Sequence, residues 1–234
     1  MIQPIDLYSI FAHFLKNYMA VNELYEQLDF VENPLYETII ADILEKKYSI
    51  VDHFFSDDEV LSLRNSLLEK YEEDKFKKSA IGSRVNEQII EEIRGDFILW
   101  LNESIANNSE KLFFNKINDL ATYLNRTCFL GILYKEFHYA VYPEGTFYKR
   151  HLDTFQNDDR RKLSVVCYLN DEKWKNDDGG ELVMYLDENG TEVPKIIYPL
   201  PGRVVVFESQ VIEHEVKAVL ASERLSITGW LKTR

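Results

Sequence analysis

The chain has 234 residues, 45% of them hydrophobic and 29% charged, with only 9 Gly and a formal net charge of −13. That length suits one fairly large domain, or a domain plus an accessory segment, with enough chain to bury a core. The charge is uneven: residues 1–50 and 51–130 carry about −5 each and residues 131–234 about −3, so no cluster of Lys and Arg offers itself to a phosphate backbone and nucleic acid is not an expected partner.

No apolar run reaches the ~18–20 residues of a membrane span, and the start, Met1-Ile-Gln-Pro-Ile-Asp6, lacks the basic and apolar stretches of a signal peptide. The two cysteines, Cys128 and Cys167, are too few for a disulfide framework and have no metal-ligand spacing. A reduced, cytoplasmic location is expected.

Helical periodicity governs the first ~130 residues. Leu7, Ile10, Phe11, Phe14, Leu15 and Tyr18 share a helical face. Asn33-Pro34 sets a cap residue before a proline at the first helical position, and Ile39, Ile40, Ile43 and Leu44 follow at helical spacing. Tyr48 to His53 reads as a short strand. Ser56-Asp-Asp-Glu59 is a capping box, with Phe55 and Val60 placed to close a hydrophobic staple over the helix entrance. Leu61, Leu63, Leu67, Leu68 and Tyr71 continue that helix. Residues 73–95 are charged and without clear period, and are expected to form a loop flanked by short elements. A further amphipathic helix is predicted from about Lys111 to Arg126.

From Gly131 the pattern changes to short apolar runs punctuated by Pro143-Glu-Gly145, Asn157-Asp-Asp159, Asp177-Asp-Gly-Gly180, Asp187-Glu-Asn-Gly190 and Pro199-Leu-Pro-Gly202. Strands are predicted over 132–142, 147–151, 161–169, 181–186, 192–198, 203–208, 213–219 and 224–232. The expected fold is therefore α+β: a double-stranded β-helix, or jelly roll, of about eight strands with N-terminal supporting helices. Three regions are expected: a helical extension over 1–35, a helical support region over 36–130 with a loop at about 73–96, and a strand-rich core over 131–234.

The chemistry concentrates in this last region. His151 and Asp153 are two residues apart, which on a strand directs both heads to the same side, and His214 follows on a later strand. Two imidazoles and one carboxylate can occupy one face of a six-coordinate ferrous ion and leave the opposite face open for a co-substrate and O2. Ten residues after His214, Arg224 offers a planar fork suited to a carboxylate. Strict alternation puts Arg224, Ser226, Thr228 and Trp230 on one strand face, the wall of a polar pocket. Each of these residues also has a plainer reading, as a surface ion pair or a buried, satisfied histidine. His13, His53 and His138 lack such company and read as structural.

Together these residues resemble the Fe(II)- and 2-oxoglutarate-dependent dioxygenases, and among them the prolyl 4-hydroxylases of the hypoxia-inducible-factor type and their bacterial relatives. Tyr142-Pro-Glu-Gly-Thr-Phe-Tyr-Lys-Arg-His-Leu-Asp153, Tyr168-Leu-Asn-Asp-Glu-Lys-Trp174, Asp178-Gly-Gly-Glu-Leu182 and Ile93-Arg-Gly-Asp-Phe-Ile-Leu-Trp100 carry the likeness, which spans roughly residues 36–232.

The resemblance implies that His151, Asp153 and His214 hold iron, that Arg224 and Tyr168 bind the distal carboxylate of 2-oxoglutarate, and that Leu182, Thr228 and Trp230 line its pocket. It implies substrate contacts for Tyr142 and Arg161, and for Asp96 a role in fixing the loop over the substrate by pairing with a nearby basic residue. A carboxylate at Asp153, where halogenating relatives have a small residue, implies hydroxylation. The expected reaction is hydroxylation of a prolyl residue in a partner protein, coupled to decarboxylation of 2-oxoglutarate to succinate and CO2, with ascorbate as a supporting reductant. Hydroxylation of a free amino acid or other small metabolite, and a non-catalytic sensor or adaptor, remain the alternatives. The sequence does not give the oligomeric state. The animal relatives continue past the position matching Arg234 into a helix that contacts substrate, and the 73–95 loop differs in sequence, so the target is not legible.

Overall fold

The computed structural model describes residues 31–79, 92–154 and 159–233. The expected helix around Leu7–Tyr18, most of the 1–35 extension, most of the 73–95 loop and much of the Asn157 turn lie outside these residues. One compact unit spans Leu35–Arg234.

Among the described residues three α-helices precede the roll. α1 (Pro34–Lys46) starts on the predicted proline. α2 (Asp57–Glu72) is opened by the Ser56–Glu59 capping box, whose flanking Phe55 and Val60 are both buried. α3 (Asn108–Cys128) carries a second box, Asn107 with Glu110, which moves its start three residues ahead of the sequence expectation. Asn is a good N-cap and Glu110 reaches back to its amide, so the first turn forms ahead of the apolar stripe.

The strands are β1 (Tyr48–Val51), β2 (Lys77–Lys78), β3 (Phe97–Trp100), β4 (Tyr134–Tyr142), β5 (Tyr148–His151), β6 (Arg161–Tyr168), β7 (Leu182–Glu188), β8 (Thr191–Ile197), β9 (Val204–Glu208), β10 (Glu213–Val216) and β11 (Arg224–Lys232). Their order is β1-β9-β6-β11-β4-β3-β2 in the larger sheet and β5-β10-β7-β8 in the smaller. Thus β4 to β11 form an eight-stranded jelly roll, four strands to a wall, and β1, β3 and β2 extend the larger wall at its two edges. β3 had read only as a motif, because four residues following Asp96 give too short a run for period-2 alternation to show. β10 ends at Val216, three residues earlier than expected.

The larger sheet is covered on both faces, and its sequence shows why. Leu163, Val165 and Cys167 of β6, Val204 and Val206 of β9, and Leu225, Ile227 and Leu231 of β11 join one core with Leu63, Leu67, Phe113, Ile117 and Leu120 of the helices. The intervening Val166, Tyr168, Val205 and Phe207 meet Leu182, Met184 and Ile197 of the smaller sheet. Period 2 therefore sorts each strand between a helix-facing and a roll-facing set, and a strand buried on both sides reads as a continuous apolar run. On β11 the roll-facing set is Arg224, Ser226, Thr228 and Trp230, polar residues inside the barrel. Gly229, on the opposite face, leaves the space that a Cβ would contest with Glu136 O at 2.1 Å and the Phe137 ring at 2.4 Å. Among the described residues no helix is long and apolar enough to cross a membrane.

Candidate metal and co-substrate site

His151 ends β5 and His214 lies in β10, directly opposite one another across the antiparallel pair. Asp153 follows β5 by two residues. One donor atom from each lies within 4.8 Å of the other two. The Nε2 atoms of His151 and His214 stand 3.6 and 3.5 Å from the two oxygens of Asp153.

Each ligand is held from behind. The Nδ1 of His151 meets Lys149 O at 2.7 Å and that of His214 meets Ile212 O at 3.1 Å. A carbonyl can only accept, so both Nδ1 atoms carry a proton and Nε2 is the ring atom that each histidine turns toward Asp153. Ser164 Oγ donates to Asp153 Oδ2 at 2.7 Å and meets Ser209 Oγ at 2.9 Å. Burial opposes ionisation of Asp153, but His214, His151 and the Ser164 hydroxyl outweigh it and hold the carboxyl well below the usual carboxylate range. Burial lowers His214 to about 4, opposed by Asp153. A carboxylate and two neutral imidazoles is the donor set a divalent cation needs.

The three donors line a cavity of about 340 Å³ between the sheets. At its base lies Arg224, 2% exposed. Its Nη1 donates to Ser226 Oγ at 3.2 Å, and Ser226 continues to Thr228 at 3.3 Å. Its Nε has no partner, and the buried Tyr168 hydroxyl has none either. The guanidinium carbon sits 5.0 Å from the Tyr168 ring centre and 4.9 Å from that of Tyr142. Gly180 makes room for it: a Cβ there would stand 3.1 Å from Arg224 Cδ. A buried cation with unused hydrogen-bonding capacity is costly alone and well suited to a carboxylate ligand.

Tyr142, Arg161, Leu182, Thr228 and Trp230 line the same cavity. Arg161 lies over the Trp230 ring at 3.4 Å and donates to the backbone carbonyl of Asp153 at 3.0 Å. Tyr168 is buried beside Arg224 and is not among the residues that line the space. Asp96 is fully buried outside it and pairs with Arg94, whose Nε and Nη2 reach its two oxygens at 2.8 and 2.6 Å; Arg94 itself faces the cavity.

One reading needs correction. His138, taken as structural, lines the cavity beside Trp100 and Trp230, with ring centres 4.9 and 5.7 Å away. It pairs with Thr228 across β4 and β11, so the alternation that placed Thr228 inside the roll places His138 there too. Arg94, Trp100 and Tyr148 were also not singled out as cavity residues, although all three sit within segments that carried the family likeness.

The family model of the 2OG-Fe(II) oxygenase superfamily matches residues 137–232. A prolyl-4-hydroxylase from Pseudomonas putida is 35% identical, with a TM-score of 0.76, over 86% of this chain and 100% of that one. A prolyl hydroxylase from Trichoplax adhaerens, solved with a peptide fragment of the hypoxia-inducible-factor oxygen degradation domain, is 26% identical with a TM-score of 0.75 over 85% of this chain and 89% of that one. Prolyl 4-hydroxylases from Phytophthora capsici share the fold, at 21% identity and a TM-score of 0.64 over 88% of this chain and 67% of that one. With a jelly roll, a His-Asp-His cluster and these relatives, the chain belongs to the 2OG-Fe(II) oxygenase superfamily, as a prolyl-4-hydroxylase-like dioxygenase dependent on Fe(II) and 2-oxoglutarate.

Proposed function

We propose that this enzyme hydroxylates a prolyl residue of a protein or peptide, coupled to decarboxylation of 2-oxoglutarate to succinate and CO2. The observation that carries the reading is the buried Arg224, with its free Nε and the neighbouring free Tyr168 hydroxyl, at the base of the cavity whose wall holds His151, Asp153 and His214. A dicarboxylate fits between two such poles.

His151, Asp153 and His214 are assigned as the iron ligands. When bound, Fe(II) supplies the redox chemistry that splits the keto acid and delivers one oxygen atom of O2 to a C–H bond. The protein supplies position. Arg224 takes the distal carboxylate through its fork, Tyr168 donates to the same group, and Leu182, Thr228 and Trp230 pack along the chain between the poles. Tyr142 and Arg161, which line the same cavity, are assigned to contact with the prolyl substrate, and Asp96 acts through Arg94. The walls between, Val166, Val216 and Ile98 among them, exclude water from the reacting carbon.

The 35% identity to a prolyl-4-hydroxylase and the peptide held by the Trichoplax relative favour a peptidyl substrate over a free amino acid. The unpaired Cys128 and Cys167 suit a reducing compartment that keeps the metal ferrous, with ascorbate in support.

The test is incubation of the enzyme with Fe(II), 2-oxoglutarate and proline-containing peptides drawn from host proteins. Succinate formation with a mass gain of one oxygen atom on proline is expected. Succinate coupled only to oxidation of free amino acids would overturn the peptidyl assignment, and no 2-oxoglutarate binding would overturn the site.

A further inference from the structure

β5 is only four residues long and lies at the edge of the smaller sheet, yet it ends in His151. On one side it pairs with β10. On the other, residues 93–95 run along it. Lys149 N–H donates to Ile93 O at 2.8 Å and Gly95 N–H to Phe147 O at 3.0 Å, with Arg94 bridging Tyr148. The approach is close enough that a Cβ on Gly95 would stand 2.9 Å from that of Thr146.

The side chains repeat this lateral support in layers. The Tyr148 ring lies 3.7 Å from the His151 imidazole with the planes 16° apart. The Arg94 guanidinium stands 4.2 Å from the centre of the same ring. Two planar groups this near cannot share one face, so the phenol ring is sandwiched between cation and imidazole. Arg94 is fixed in turn by its two hydrogen bonds to the buried Asp96.

His151 needs that support more than its partners do. Its side chain is 17% exposed, against 7% for His214 and 9% for Asp153. The hydrogen bond to Lys149 O anchors one nitrogen, but a single contact leaves the ring plane free to rock about that axis. His214 is flanked by the Phe207 ring at 4.7 Å; for His151 the flanking face is Tyr148.

We propose that Tyr148 and Arg94 are positioning residues for the metal: the Asp96–Arg94–Tyr148–His151 series sets the plane of the imidazole, so that the conformation of residues 93–96 governs metal affinity. The proposal rests on the metal-site assignment above.

The test is titration of the apoprotein with Mn(II), free ion being followed by its paramagnetic resonance signal, with no turnover required. Thermal midpoints of the apoproteins are measured in parallel. His151→Ala sets the level of a lost ligand. Tyr148→Phe keeps the ring and is expected to bind within about twofold of wild type, whereas Tyr148→Leu weakens binding about 10–100-fold, the range for residues that orient ligands. Arg94→Lys keeps a charge for Asp96 but loses the planar face, and a smaller loss is expected; it carries the test should Tyr148→Leu fail to fold. Wild-type affinity in Tyr148→Leu or in Arg94→Lys would overturn the proposal, as would equal losses in the Phe and Leu variants. A wild-type protein that binds no Mn(II) would instead remove the metal-site assignment itself.

Discussion

His138 makes the stability of the protein depend on pH in a range where few other groups titrate. Its imidazole is 4% exposed. Burial, then the charge of Arg94, lower it from the ordinary 6.5 to about 3, with Asp96 and Asp153 opposing. A depressed folded-state pKa means that the unfolded chain takes up the proton first. The stabilisation is complete above about 6.5 and is lost as pH falls from there toward about 3. Between pH 7 and 5 one such histidine costs about 2 kcal/mol, since each tenfold rise in proton activity below the unfolded pKa removes about 1.4 kcal/mol. Ordinary carboxylates stay ionised in that interval. His214, lowered to about 4, adds a similar loss in the metal-free protein, so the wild-type apoprotein should lose about 4 kcal/mol in all. In His138→Met, an unbranched apolar replacement, about half of that loss should vanish. Urea unfolding of chelator-treated protein at pH 5, 6 and 7 measures it. A variant whose stability falls between pH 7 and 5 as steeply as wild type would refute the reasoning.

Asp153→Ala should abolish succinate formation and Mn(II) binding together. Arg224→Lys should leave Mn(II) affinity unchanged while weakening 2-oxoglutarate by about tenfold or more, since a point charge replaces a two-pronged contact; calorimetric titration separates the two, and equal losses of both would contradict the assigned roles. Ser164→Ala removes a 2.7 Å donor to Asp153, and a charge-assisted bond of about 1.5–3 kcal/mol predicts Mn(II) affinity reduced about tenfold or more; an unchanged affinity would show that Asp153 needs no such anchor. Gly229→Ala drives a methyl to within 2.1 Å of Glu136 O and should destabilise by about 3 kcal/mol or more in urea, whereas a neutral result would mean that β4 and β11 separate easily.

The roll was legible because its strands obey period 2 and are bounded by Pro, Gly, Asn and Asp clusters. The metal cluster was legible because His151 and Asp153 stand two residues apart at the end of a strand and a third donor, His214, lies in a later strand of the same strand-rich half. β3 and the inward face of β4 were not. His138 stands in a run, Phe137-His-Tyr-Ala-Val-Tyr142, that is apolar on both faces, so alternation does not say which side holds the cavity. Only its register with Thr228 on β11 does, and register between strands 90 residues apart is not written locally. Likewise the pairing of Arg94 with Asp96 is a two-residue spacing, but the stack onto Tyr148 joins segments whose contact depends on the closed fold. The unpaired Nε of Arg224 is a property of its surroundings rather than of its identity.

Among the described residues the outermost strand of the smaller sheet, β8, has no partner strand on one flank, and Pro194 sits at its centre, opposite Tyr185. A ring nitrogen offers no hydrogen to an approaching chain, and Glu192 and Lys195 set charges on either side of it. The flank is thereby a poor template for the addition of a strand from a second molecule.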